Sequence, residues 1–360
     1  MQIQANATPR RDCSFIAVLG GLALLVGVLG CPRPAWAAPK TDVVVLVNGD
    51  RITGEIKSLE HNKLKVSTDH MGTVYIEWDK IRRVQTDQYL LLERSDGSRF
   101  YGQLAASEED ASLQVRRDPT GKPEPVAMDT VVRAEPIKGG DFIDRLDGYA
   151  SAGIDYAKAS DVGSIDLAGG VSSRTRIREW SLDGSVDLTS DDNDATEERW
   201  DLQGAWRRFQ RNRYFWEGFG GLERNTELDL NLRALAGAGI GRYVVQTNSA
   251  DWVVGGGLAY SHENYTGGER FDSIEAVLTT SFSVFRYDFP ETDVSGALSL
   301  LPSLTQSGRY RGEADLRAKY EFVDDLYFEL RLYGSYDSKP PSLDTEKTDY
   351  GFVTSLGYSF

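Results

Sequence analysis

The stretch LYFELRLYGSYD, residues 326–337, decides the fold. Its even-numbered positions are mainly apolar and include Leu326, Phe328, Leu330 and Leu332. Its odd-numbered positions include Glu329, Arg331 and Asp337. A period of two places these two sets on opposite faces of a β-strand. The stretch therefore predicts a strand with one apolar face and one charged face.

The same alternation recurs along the last 215 residues, and most segments exceed the ~5–6 residues of an average soluble strand. They match the ~9–11 residues that cross a bilayer at a tilt. The pattern predicts an all-β fold with a C-terminal transmembrane antiparallel up-and-down β-barrel over 146–360. We expect about twelve strands, with ten and fourteen as open alternatives, at 148–157, 164–173, 178–189, 199–208, 213–223, 229–244, 251–262, 271–286, 292–301, 309–322, 326–338 and 348–360.

The connections between these segments predict the orientation. The odd-numbered ones, such as SDDNDATEE at 190–198, are on average longer than the even-numbered ones, such as 210–212. Outer-membrane barrels have long outer loops and short periplasmic turns. The final strand carries Tyr358 and Phe360, which resemble the C-terminal assembly signal read by the bacterial barrel insertion machinery. A soluble β-sandwich would alternate too, but it would not place charges along one face of so many strands.

Composition excludes several classes of protein. The chain has 360 residues, a formal net charge of -15, three His and two Cys. This acidity argues against a protein that grips nucleic acid by its phosphates, and no second long apolar run exists for a helical membrane bundle. With three His and no Cys pair at metal-ligand spacing, we predict no metal site and no cofactor. Cleavage after Ala37, which the first segment predicts, would remove both Cys and with them any cysteine chemistry.

The first segment, 1–37, predicts a signal peptide. Arg10 and Arg11 precede the apolar run 15–29, and Ala35-Trp36-Ala37 is a small-x-small triplet, so we place cleavage after Ala37. Cleavage there changes the net charge to about -17. The alternative is a lipoprotein processed at Cys31, which follows a weak lipobox.

Residues 38–136 contain a duplication, with units of about 42–86 and 90–136. Gly49 aligns with Gly97 in a hairpin turn, and Gly54 aligns with Gly102 in the strand that follows. We predict a pair of small SH3-like or Sm-like β barrels in the periplasm, followed by a linker at 137–145. Three aromatic residues of these units either fill the cores, which is the favoured interpretation, or line a peptide groove: Tyr75, Trp78 and Tyr101.

The segment from about 146 to 360, ending in GYSF, is similar to the domain-of-unknown-function family 481, whose members are often labelled salt-induced outer membrane proteins. The motifs VNGDRITGEI and SDGSRFYGQL resemble small β modules that precede the barrel in some members. The resemblance implies an outer-membrane barrel in a Gram-negative envelope. It implies no activity and no site residues.

The charged residues at alternate positions of the strands are predicted to face the lumen of the barrel. Paired acids and bases would close it, and unpaired ones would line a small water channel. The lumen-facing candidates are Asp183, Asp187, Asp201, Arg207, Glu217, Arg233, Glu275, Arg311, Glu313, Asp315, Arg317, Lys319, Glu329 and Arg331.

Three functions fit this chain. The first is a structural or passive-transport, porin-like barrel, with a narrow and weakly cation-leaning channel as its sharper form. The second is an envelope docking or assembly protein, whose periplasmic modules bind peptidoglycan or another protein. The third and least favoured is a lipid hydrolase built on the barrel wall around His262, the one His of the barrel; no GxSxG elbow is present. We therefore predict no enzyme activity. Outer-membrane lipid is the expected environment, and the oligomeric state is left open.

Overall fold

The computed structural model describes residues 40–105, 109–117, 120–137, 145–158, 162–191, 197–227, 229–323, 326–340 and 347–358. Ala37, Cys31, Phe360 and most of the predicted linker lie outside these ranges. Within them the chain is all-β, and its helical elements are two short 3₁₀ turns, at Trp78–Lys80 and Met128–Thr130. No helix in the described part is long and apolar enough to span a membrane.

The first nine strands form an N-terminal domain. They are β1 Asp42–Leu46, β2 Arg51–Glu60, β3 Lys63–Ser67, β4 Thr73–Glu77, β5 Ile81–Arg94, β6 Arg99–Ala105, β7 Ser112–Arg116, β8 Glu124–Ala127 and β9 Val131–Pro136.

The duplication is visible in this domain, but the two copies form one sheet. Strand β5 is 14 residues long: its first half pairs with β1 of the first copy and its second half pairs with β6 and β9 of the second. Strands β1, β2, β9 and β5 pair in a closed ring of four. The SH3-like or Sm-like likeness of each copy stays a prediction.

One hydrophobic core serves both copies. Val44 and Ile56 of the first copy and Leu92 and Val115 of the second are fully buried in the same cluster. Trp78 belongs to it too, and its indole Nε1 donates to the carbonyl oxygen of Met128 in the other copy at 2.8 Å. The two copies therefore depend on each other for burial, because neither encloses a core alone.

Within the described ranges, the remaining twelve strands form a second sheet, and the predicted number is confirmed. They are β10 Asp147–Ala157, β11 Val162–Arg174, β12 Arg178–Asp191, β13 Glu197–Phe209, β14 Tyr214–Asn225, β15 Leu230–Gln246, β16 Ala250–Tyr265, β17 Arg270–Arg286, β18 Thr292–Pro302, β19 Tyr310–Val323, β20 Leu326–Asp337 and β21 Thr348–Tyr358.

Each strand of this sheet pairs antiparallel with the next, in chain order from β10 to β21. The outward face carries exposed apolar side chains such as Leu258, Leu278 and Phe352, while the other face carries the charged parity. This up-and-down sheet fits a β-barrel outer-membrane protein. Among the described residues, no ladder joins β10 to β21.

The shared core of the N-terminal domain predicts a single unfolding unit. Replacing the fully buried Leu92 by Ala leaves a cavity between the copies, and we expect a loss of about 2–5 kcal/mol in the stability of the domain. Hydrogen exchange on the full chain should show this loss equally in β2, from the first copy, and β7, from the second.

The Lys57→Gln variant, at an exposed position of β2, is the control and should change neither strand. Loss of protection in β7 with β2 unchanged would contradict the shared core.

Candidate functional site

The N-terminal domain lies against one end of the twelve-stranded sheet. It contacts four turns, at 175–177, 210–213, 247–249 and 287–291, which we call the rim turns. They are four of the five even-numbered connections of the sheet, which the sequence predicts to be periplasmic. The domain therefore meets the end that the prediction places in the periplasm.

Polar contacts tie the domain to the rim turns. The Tyr101 hydroxyl accepts from the backbone N–H of Arg176 at 3.1 Å, and Asn248 Nδ2 donates to the Asp129 carbonyl oxygen at 3.0 Å. At the last rim turn, Lys80 Nζ lies 2.8 Å from a carboxylate oxygen of Asp288. Contacts to separated turns fix the orientation of the domain better than contacts to one.

A buried carboxylate lies at the centre of this contact. The Glu93 side chain is 1% exposed and forms ion pairs with Arg99 of its own domain and with Arg174 at the end of β11, the latter at 2.8 Å. Gln246 Nε2, at the end of β15, donates to the same carboxylate at 2.9 Å. We call Glu93, Arg99, Arg174 and Gln246 the Glu93 cluster.

Aromatic packing encloses the cluster. The Phe209 ring contacts both guanidinium groups, 4.0 Å from that of Arg99 and 4.7 Å from that of Arg174. A cavity of about 50 Å³ adjoins Arg174 and Gln246, which is enough volume for a water molecule. The cluster is thus almost sealed from bulk solvent.

The electrostatics of the cluster favour the ionised carboxylate. Burial alone would raise the pKa of Glu93, but Arg99, Arg174 and the hydrogen bond from Gln246 outweigh it and hold that pKa below its ordinary value. The carboxylate is therefore charged at neutral pH, and it needs both arginines to offset its desolvation.

The duplication shows why only the second copy contributes a buried carboxylate at this repeat position. With Gly49 aligned to Gly97, Val45 occupies the position of Glu93 in the first copy, and Arg51 occupies that of Arg99. Arg51 is exposed. Glu93 was not among the residues predicted from the sequence, although a charged residue at an otherwise apolar repeat position was a signal for it.

A second group of buried charges lies at the opposite end of the sheet. Glu263 is 2% exposed and pairs with Arg233, Arg309 and Arg311, at 3.0, 3.4 and 3.5 Å. Arg311 also pairs with the buried Glu275 at 2.6 Å. We call these five residues the Glu263 cluster. It extends to Glu223 through Arg233 and to Asp337 through Arg309.

A cavity of about 650 Å³ lies on the charged face, and half of the lumen-facing candidates line it. These seven are Asp183, Asp201, Arg207, Glu217, Arg233, Arg311 and Glu313. Arg207 pairs there with Glu217 at 2.7 Å. The Asp201 carboxylate accepts a hydrogen bond from Ser185.

The other candidates lie elsewhere on the charged parity. Glu275 belongs to the Glu263 cluster, and Asp187 is opposite Asp166 and Arg199 on the neighbouring strands. Five lie along β19 and β20. Of these, Asp315 pairs with Arg317 and Arg331, Lys319 pairs with Glu291, and Glu329 accepts from Ser355.

The structure does not bring together the three aromatic residues that were candidates for a peptide groove. Trp78 is buried in the core, and Tyr75 is 63% exposed on β4. The Tyr101 hydroxyl is hydrogen-bonded to the rim turn at 175–177. Around Lys80, the carboxylates of Glu77, Asp79 and Asp288 come within metal-ligand reach of one another. The Lys80 ammonium pairs with two of them, Asp79 and Asp288.

His262 lies on the outward face, two residues from the exposed Tyr260, and its Nδ1 is 2.8 Å from Asp272 Oδ1. The Tyr260 hydroxyl donates to the same oxygen at 2.5 Å. Ser261 is buried and, by strand alternation, points to the other face. The structure therefore does not place Ser261 beside His262 as a nucleophile.

Comparison with known proteins identifies one family. Residues 150–360 match the model of DUF481, described as a protein of unknown function. Neither the curated proteins nor the solved structures contain a match to this chain.

The Glu93 cluster predicts how the domain is held. Glu93→Gln keeps the shape of the side chain and removes its charge, which takes from the buried Arg99 the carboxylate it pairs with and leaves Arg174 paired with Glu179. We expect domain docking to weaken by about 3–5 kcal/mol, measured as faster hydrogen exchange in the rim turns 210–213 and 247–249. The control Asp96→Asn removes an exposed carboxylate near Arg94 and should cost less than about 1 kcal/mol. Equal protection in both variants would contradict the assignment.

Docking should also depend on pH in one direction. The contribution of Glu93 is fully present above the ordinary glutamate pKa of 4.5, and it is lost as the pH falls from there through the lowered pKa of the docked state. Rim-turn exchange should therefore accelerate, beyond its intrinsic pH dependence, only on acidification below that value. Glu93→Gln should abolish this additional pH dependence, and a transition near neutral pH would contradict it.

Proposed function

Because the chain belongs to the DUF481 family, we propose that it is an outer-membrane β-barrel protein of structural type. In this proposal the barrel anchors the N-terminal domain at its periplasmic mouth, and the lumen is closed rather than an open pore. The lipid environment is the outer membrane, and the domain lies in the periplasm.

The strand lengths and the outward face support the membrane location. Strands β10 to β21 have 11 to 17 residues, at least the ~9–11 that span a bilayer at a tilt. Exposed Trp216 and Trp252 lie near the rim turns, where an aromatic girdle is expected. The family match covers this same region.

The observation that carries the proposal is the docking of the domain on four rim turns around a buried ion-paired cluster. A domain joined by a free linker would expose Glu93, whereas here its carboxylate is sealed by Arg174 and Gln246 of the barrel. Pairing in the Glu263 cluster supports a closed lumen at the other end, because those charges bind one another and not a passing ion.

The second candidate is the narrow, weakly cation-leaning channel. Asp183, Asp201 and Glu313 line the 650 Å³ cavity, and none of the three has an ion pair within 4 Å in the described ranges. A docking role toward peptidoglycan or a periplasmic protein is compatible with an anchored domain, whose β4 edge carries the exposed Tyr75.

Planar-bilayer recordings separate the first two candidates. We expect the full chain to show no unitary conductance. A variant lacking 42–136 should also stay closed, because the Glu263 cluster still blocks the other end, and its barrel should remain heat-modifiable as evidence of folding. Steady cation-selective currents from the full chain would contradict the closed barrel and support the channel.

A further inference from the structure

The outward face of the sheet carries three arginines beside the rim turns. Arg178 on β12, Arg208 on β13 and Arg242 on β15 are exposed there, and we call them the arginine ledge. Arg207, the neighbour of Arg208 in the chain, faces the lumen and pairs with Glu217, and successive residues of a strand point to opposite faces. The ledge therefore lies on the face that contacts lipid in the proposed function.

Two arginines of the ledge lie directly opposite each other. Arg178 and Arg208 are partners in the ladder between β12 and β13, and the Cβ atoms of such partners are about 4.5–5.5 Å apart. Like charges in this arrangement are destabilising. Within the part of the chain that the structure describes, no carboxylate pairs with either guanidinium group. The pair thus concentrates positive charge that an anion from outside the chain would stabilise.

Tryptophan residues mark the depth of the ledge in the membrane. Trp180 and Trp206 form the next outward pair of the same ladder, on the side away from the rim turns, and Trp216 lies opposite Arg208. Trp side chains collect at the interface between lipid and water. Two residues along a strand cover about 7 Å, so the arginine pair lies just outside the level of the Trp pair, where headgroup phosphates are found.

The surroundings of the ledge favour a phosphate group that carries net negative charge. The residues opposite the ledge on the neighbouring strands β14 and β16 are Tyr214, Trp216 and Val254, and none of them is acidic. Arg242 adds a further positive charge, and its guanidinium group lies 4.9 Å from the centre of the Tyr214 ring. A guanidinium group offers a planar fork of N–H donors that binds phosphate through two hydrogen bonds. An anionic phospholipid fits this charge better than a zwitterionic one, whose ammonium group the arginines repel.

We propose that the arginine ledge binds the phosphate group of an anionic phospholipid, in the membrane leaflet on the side of the N-terminal domain. Arg178 and Arg208 share the phosphate, and the neighbouring Trp side chains pack against the lipid below its headgroup. The ledge stays exposed while the domain is docked, and Arg176 of the adjacent rim turn lies over the Tyr101 ring of the domain. The lipid is therefore bound beside the docking contact. This inference rests on the proposed membrane location and adds a lipid class to it.

Quenching of Trp fluorescence by brominated lipids tests the site, because bromine atoms on an acyl chain quench the Trp side chains that the lipid contacts. The full chain is reconstituted in phosphatidylcholine vesicles that contain increasing fractions of brominated phosphatidylglycerol or of brominated phosphatidylcholine. Trp36, Trp200 and Trp252 are replaced by Phe, so that the quenched signal comes from the three Trp residues beside the ledge. Trp78 is buried in the N-terminal domain and adds a constant background.

We expect the anionic lipid to quench at a mole fraction about tenfold lower than the zwitterionic lipid. The double variant Arg178→Gln with Arg208→Gln should lose this preference, so that the two quenching curves coincide. The matched control, Arg224→Gln with Arg270→Gln, removes two outward positive charges at the opposite end of the sheet and should keep the preference. Heat-modifiability of each variant confirms that its barrel is folded.

Equal quenching by the two lipids without the arginine substitutions would overturn the inference, and so would a preference that survives in the Arg178 and Arg208 double variant or disappears in the control. Flotation of the same vesicles keeps the two proposals apart. A chain that does not float with the vesicles refutes the proposed membrane location, while an inserted chain without a preference for the anionic lipid refutes only the lipid site.

Discussion

One buried negative charge constrains the arrangement of this molecule. Glu93 sits where neither the N-terminal domain nor the barrel alone could compensate it, since Arg99 comes from one and Arg174 from the other. A buried carboxylate without paired cations is strongly destabilising. The domain and the barrel are therefore coupled through the cost of separating them.

The duplicated domain shows how such a contact can arise without a new fold. Both copies supply the same strands and share one core. The difference lies in a few side chains, with a valine at position 45 and a glutamate at position 93. Both copies contact the barrel, and the second also carries the buried carboxylate at the centre of the contact.

Alternation is a local property, and for that reason the barrel strands were predictable. A charged residue on every second position, as around Glu329 and Arg331, defines a strand and its faces without knowledge of its neighbours. The twelve strands followed from this rule. The sharing of strand β5 by the two copies did not, because strand pairing in the domain depends on contacts that no local pattern encodes.

The partners of Glu93 in the barrel were beyond prediction for the same reason. Glu93 is 81 residues from Arg174 and 153 residues from Gln246 in the chain, and no periodicity connects them. The lumen-facing candidates were likewise identified by alternation along each strand, which does not show which of them form ion pairs. Glu263, the most connected acid of its cluster, was not among those candidates because it lies beyond the predicted end of its strand, at 262.

The most direct measurement of the central claim is the distance between the domain and the barrel in membrane-inserted protein. Spin labels at Asp50, in an exposed turn of the domain, and at Arg211, in a rim turn, report it by pulsed electron paramagnetic resonance. A docked domain predicts one narrow distance distribution at neutral pH. A broad distance distribution in protein that carries no change besides the two labels would show a freely tethered domain and contradict the account.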